Sequence, residues 1–150
     1  MAKLLHSFIA IASSACVYLF LAPLIGAIYL LAPGIISSPS SISALLLVPA
    51  GYKFGAFSAF LAGAINGAIV SSYSCLSKKE KISAHTKAIQ GAISGLLGGL
   101  IHTHIPDIKL TIEVQTYITL CLLSGATCGV LFNTKILGIA EPKIFTQSFE

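Results

Sequence analysis

The chain has no arginine and no tryptophan, and only five of its 150 residues are acidic. Charged side chains make up 9% of it, against about 25% in ordinary soluble domains. All nine basic residues are lysines. A nucleic-acid reader wants a basic face with Arg forks and exposed aromatics, so no nucleic-acid partner is expected. No paired acids, no Ser/His/Asp set and no glycine-rich phosphate loop after a strand stand out, so neither an enzyme nor a cofactor site is expected. The four cysteines, Cys16, Cys75, Cys121 and Cys128, form no CxxC pair. They read as small packing residues rather than as a disulfide framework or a zinc site. No apolar segment contains a carboxylate, which weakens an ion-coupled transporter and leaves a passive channel open.

What is present is apolar. The hydrophobic fraction is 55% and the mean hydropathy +0.91. A soluble chain this short keeps a large share of its surface wet and could not hide so much. The expected fold class is therefore all-α integral membrane, a compact bundle of four transmembrane helices forming one polytopic domain over 1–150.

The stretch Gly55–Ser71 shows how such helices pack. Every fourth residue is small: Gly55, Ala59, Gly63, Gly67, Ser71. Positions four apart stack on one helix face, so these leave a groove almost without side chains. Membrane helices use such grooves to bring backbones close.

The spans are expected at about 8–31, 54–73, 88–105 and 114–132. The first is uncharged for longer than the roughly 20 residues needed to cross the hydrocarbon. A signal peptide would have a shorter apolar core and a small-residue cleavage site. Pro23 inside this span removes a backbone donor and predicts a kink. Residues 32–43, rich in Pro and Ser, read as a loop. The run from Ala44 to Leu76 is too long for one untilted span. Pro49, Gly51 and Lys53 suggest a break, with Ala44–Ala50 as a short interfacial or re-entrant piece. Lys53 would snorkel to the surface, or else mark a solute path. Residues 76–87 and 106–113 are polar connections, and 133–150 reads as a cytoplasmic tail, partly ordered at most.

The lysines set the orientation. With both ends cytoplasmic, Lys3, Lys78, Lys79, Lys81, Lys87, Lys135 and Lys143 lie inside and only Lys53 and Lys109 outside, a positive-inside bias. The expected location is a cell membrane of the bacterial inner-membrane type, with N- and C-termini in the cytoplasm.

A Gly-Ala phrase recurs at Gly26, Gly63, Gly91 and Gly125, and the last three open a GxxxG. Unequal offsets exclude a fixed-period array. The packing residues expected from this pattern are Gly55, Gly63, Gly67, Gly91, Gly95, Gly99, Gly125 and Gly129. Because the second and third spans form a hairpin, Gly67 and Gly95 are expected to meet at similar depth.

Three groups carry potential chemistry. His102, His104 and Asp107 form the one cluster resembling a metal or proton site. Residues two apart diverge on a helix, so these histidines are expected instead to close a helix C-terminus, helped by its dipole. Asn66 is the polar residue inside a span and is expected to bond to a neighbouring helix. Gln90 is expected at the cytoplasmic boundary, and Ser13, Ser14, Ser94 and Ser124 to bond back to their own helix carbonyls.

These features lead to a small non-enzymatic multi-pass protein acting by helix packing. It would pack with itself as a homo-oligomer or with another membrane protein, as a subunit, assembly or immunity-type component. The stripes outnumber what one short bundle needs internally, which motivates the partner. The alternative is a small-solute or ion channel or transporter working as an oligomer, with Asn66, Lys53 and the His pair along its path.

Overall fold

The computed structural model describes residues 2–37, 47–76, 83–105 and 113–140. These form four helices: α1 (Ala2–Ser37), α2 (Leu47–Leu76), α3 (Ala84–Thr103) and α4 (Val114–Ala140). Three stretches are long and apolar enough to cross a membrane: Leu4–Leu31, Gly55–Tyr73 and Val114–Asn133. The third helix is not among them, although the sequence led us to expect four spans. Lys87, Gln90, His102 and four glycines dilute its apolar content.

The helix boundaries also differ from expectation. α1 runs through Pro23 and on to Ser37, six residues past the expected end of the span. In the turn that Pro23 interrupts, the Tyr52 hydroxyl of α2 donates to the Phe20 carbonyl. That is the kind of outside donor that lets an apolar helix tolerate a proline. α2 is continuous from Leu47, so no break separates residues 47–50 from the span. Pro49 falls in its first turn, where a missing N–H costs nothing. Residues 44–46 of the expected re-entrant piece lie outside the described residues. At 30 residues α2 is about 45 Å long, well beyond its apolar core. α3 starts four residues earlier than expected. Ser83 caps it, accepting from the Thr86 amide at 3.2 Å. α4 continues to Ala140, so 133–140 is helix rather than tail, and residues 141–150 lie outside the described part.

The helices alternate in direction and group as two glycine-zipped hairpins. In the first, each step along α2 is matched by an equal step back along α1. Gly55 lies on Pro23, Gly63 on Ala15 and Gly67 on Ile11. A Cβ at Gly63 would stand 2.7 Å from both the Ala15 Cα and the Ser14 carbonyl, and one at Gly67 2.6 Å from the Ile11 Cα. In the second hairpin Gly91 meets Gly129, Gly95 meets Gly125, and Gly99 meets Cys121. A Cβ at Gly91 would run into the Gly125 carbonyl, and one at Gly129 into the Lys87 carbonyl. The hairpins then dock α2 on α3 and α1 on α4, with α2 and α4 also touching.

This overturns the expected meeting of Gly67 with Gly95. Each ridge faces the outer partner in its own hairpin, α1 or α4, and not the helix across the lysine loop. Gly98 is the α3 glycine that meets α2, against Ser58 and Ala62. Gly26, first of the recurring phrase, has nothing within 4 Å. The small-residue stripes are largely used up inside the chain.

The interior holds small and polar groups, and the outside holds large apolar ones. Tyr18, Ala22, Ala59, Ala62 and Cys128 form one buried cluster, and Ala10, Val70 and Ile136 a second. On α3 the exposed Ile89, Ile93, Leu97 and Ile101 recur at four-residue spacing. Gln90, Gly91, Ser94, Gly95, Gly98, Gly99 and His102 form its buried side.

Candidate functional site

Two polar layers cross the interior. In the first, each helix supplies one side chain: Ser14 from α1, Asn66 from α2, Gln90 from α3 and Asn133 from α4. All four are buried. Asn66 Nδ2 donates to Ser14 Oγ at 3.2 Å and to Asn133 Oδ1 at 2.8 Å. Asn133 Nδ2 donates to Asn66 Oδ1 at 3.3 Å and to Gln90 Oε1 at 3.2 Å. Both amide N–H pairs of the two asparagines are spent, as a buried amide requires. Ser14 and Asn66 belong to the first hairpin, Gln90 and Asn133 to the second. The Asn66–Asn133 exchange is therefore the seam between hairpins.

Sequence and geometry connect simply here. In the GxxxG of each recurring phrase, at 63–67, 91–95 and 125–129, the residue before the second glycine is Asn66, Ser94 or Cys128, and all three are completely buried. The bare ridge draws one neighbouring helix close, and the next position round the helix turns into the interior. Ser94 bonds back to the Gln90 carbonyl at 2.8 Å and Ser124 to the Cys121 carbonyl at 3.2 Å, the usual way a helix quiets a serine. Ser14 accepts from Asn66 instead. Gln90 is buried within the network.

The second layer lies toward the opposite end. Tyr117 of α4 donates to Ser58 Oγ of α2 at 2.7 Å, and Ser58 donates to its own Gly55 carbonyl at 2.9 Å. This also joins the two hairpins. Between the layers Tyr18 of α1 donates to the Gly125 carbonyl of α4 at 3.3 Å. Beside Tyr117 lies His102, only 3% exposed. Its ring sits between Phe57 of α2, 5.8 Å away centre to centre, and Tyr117, 5.4 Å away. Neither ring nitrogen has a hydrogen-bond partner among the described residues.

The two histidines of the expected cluster are thus split. His104 is exposed and its Nδ1 bonds the Leu100 carbonyl at 2.8 Å, closing the helix end. His102 does not close the helix; it turns inward. Asp107 lies outside the described residues. Among the described residues no three His, Cys, Asp or Glu side chains converge to hold a metal. Lys53 is exposed on α2 one turn before Phe57.

The sequence reading missed Asn133, Gln90, Ser58 and Tyr117 as interior groups. Asn133 and Tyr117 stood near expected span ends, where polar residues are ordinary. A signal was available in the helical spacing, since Gln90, Ser94 and His102 share the face of the glycines Gly91, Gly95, Gly98 and Gly99.

The arrangement offers buried amides and hydroxyls that bond one another, and no carboxylate or ammonium among them. It can fix helix register. The chain matches no family model, no curated protein and no solved structure.

Proposed function

We propose that this chain is a non-enzymatic, multi-pass membrane protein whose four helices all cross the bilayer, with both termini cytoplasmic. It acts through packing against another membrane protein or a second copy of itself. The observation that carries the membrane part is the inside-out distribution on α3. Large aliphatic residues line its exposed face, and Gln90, Ser94 and His102 line its buried one. In water the opposite arrangement is favoured. In lipid, apolar groups are best outside and polar groups are best bonded to one another. That supports α3 as a fourth span despite its diluted composition. Lys87 and Lys135 lie at the end of the bundle shared by the chain termini, and Lys53 at the other, which supports the positive-inside orientation.

The glycine ridges no longer argue for a partner, because the hairpins occupy them. What supports an interaction role is the exposed row Ile89, Ile93, Leu97 and Ile101, a smooth aliphatic face on the helix with the least apolar remainder. A photo-crosslinking residue at Ile93 or Leu97, at native expression level, should give a discrete protein adduct. Lipid adducts alone would reject the interaction role. Cysteines placed at Ser40 and Lys79 should label from the outside and the cytoplasm respectively; both on one side would reject four spans.

A second reading, a small-solute or ion channel, draws on the polar side chains in the interior. Against it stands their mutual bonding, which leaves the amides of Asn66 and Asn133 no free donor to offer a solute. Flux in proteoliposomes that disappears with Asn66→Leu would favour it.

A further inference from the structure

His102 is a buried ionisable side chain, and neither of its ring nitrogens has a hydrogen-bond partner among the described residues. A neutral imidazole carries one N–H donor and one acceptor nitrogen. Leaving such groups buried and unpaired is unfavourable, so the ring is held by its surroundings and not by its own bonds. Those surroundings are the junction of the two hairpins. Phe57 belongs to α2 of the first hairpin, and His102 and Tyr117 to α3 and α4 of the second. The Tyr117–Ser58 bond closes the same junction.

We propose that His102 is a proton-operated latch between the hairpins at this end of the bundle. When neutral, the ring fills the slot between Phe57 and Tyr117 and the junction is shut. When protonated, it becomes a cation with two donors and no acceptor in that slot. The charge is more stable in water, and the ring lies in the last turn of α3, next to the end of the helix. It therefore swings out, and the slot opens onto Tyr117 and Ser58.

The charged and titratable groups around the slot fit this direction of movement. From α2 the nearest is Lys53, exposed one turn from Phe57, which disfavours a second positive charge inside. From α4 they are Tyr117 itself, Cys121 one turn further in, and Glu113 one turn further out. Glu113 is exposed, and its backbone carbonyl accepts from the Tyr117 amide. From α3 the other is His104, exposed beyond the helix end. Among the described residues the carboxylate near the slot, Glu113, is exposed, so an outward-moving imidazolium approaches opposite charge. The tight backbone contacts at Gly63, Gly67, Gly91 and Gly129 lie away from the slot, so opening at this end leaves them in place.

The absence of tryptophan gives a direct test. Phe57→Trp in the full chain, reconstituted in lipid nanodiscs, places the single indole of the protein against His102. Phe57 is 47% exposed, so the larger ring has room. On acidification the emission should shift to the red with the slope of one proton, as expected for a single imidazole taking up its proton. Phe57→Trp/His102→Phe should show no such shift, and Phe57→Trp/His104→Ala should keep it. A flat emission profile, or the same shift without His102, overturns the latch. Nitrogen NMR of ring-labelled histidine in the unaltered chain gives a reading independent of folding of the variants. The His102 ring and the amides of Phe57, Ser58 and Tyr117 should move together with one midpoint. A ring that titrates while those amides stay still overturns the proposal as well.

Discussion

Asn66 and Asn133 exchange two hydrogen bonds, each Nδ2 reaching the other's Oδ1, at 2.8 and 3.3 Å, and both side chains are fully buried. They come from different hairpins and lie 67 positions apart. This reciprocal pair sets the relative register of the hairpins, because sliding either by one residue turns its amide away. Buried polar groups that specify register in this way are well attested in helical assemblies.

Removing one partner should therefore hurt more per bond than removing both. Asn66→Leu strands the Asn133 amide in an apolar interior, at a cost of about 1–3 kcal/mol. Asn66→Leu/Asn133→Leu should cost less than the two single changes added together, by about 1 kcal/mol, typical of interhelical bonds in lipid. Unfolding free energies in mixed detergent micelles, measured for all four members of the cycle, check this. Simple additivity would show that the two amides act independently.

Glycines that look alike in the sequence should differ sharply in tolerance. At Gly91 an added methyl meets the Gly125 carbonyl and the Gly129 Cα, both backbone atoms that cannot step aside. Gly91→Ala should lose about 1–3 kcal/mol by overpacking. At Gly26 nothing stands within 4 Å. Gly26→Ala should be neutral or should stabilise by up to about 1 kcal/mol, because alanine favours helix over glycine. Detergent-melting midpoints of the two variants, run side by side, decide the matter.

Gly55 tests the same argument within one stripe. It shares the four-residue pattern of Gly63 and Gly67, but its added methyl would touch Pro23 at an ordinary 3.7 Å. Gly55→Ala should be tolerated where Gly63→Ala is not. Equal losses in yield of folded protein would mean that the α1–α2 approach is even along its length.

Tyr117→Phe removes the donor to Ser58 and leaves the ring against His102. Ser58 still bonds the Gly55 carbonyl, and the Cys121 thiol that neighbours both hydroxyls keeps Ser58, so the expected loss is only about 1 kcal/mol. Ser58→Ala should cost a similar amount, and Tyr117→Phe/Ser58→Ala little more than either alone. Thermal aggregation midpoints in detergent compare the three. A loss several-fold larger for Tyr117→Phe would mean that the hydroxyl serves a group beyond Ser58 and Cys121.

The helices and their small faces were legible in the sequence because both are local properties. A long uncharged run such as Leu4–Leu31 has no way to satisfy its backbone in lipid except as helix. Residues four apart lie on one face whatever surrounds them. The misjudged boundaries have equally local reasons. Pro49 looked like a break because proline ends helices from within, and it begins one here. Asn133 looked like the start of a tail because an amide is unfavourable in lipid until it meets another amide.

By itself the sequence determined that this chain is helical and apolar, and that α2, α3 and α4 each carry a ridge bare enough for another backbone. It could not determine which backbone. A ridge of glycines is an absence of side chains, and an absence has no complementary shape by which to choose its neighbour. Only the tertiary structure decided that α2 gives its ridge to α1 and α3 gives its ridge to α4, an arrangement in which Asn66, Asn133, Gln90 and Ser14 meet at one level. Hydrogen bonds are directional where dispersion is not, so the buried amides selected among arrangements that the glycines would have accepted alike.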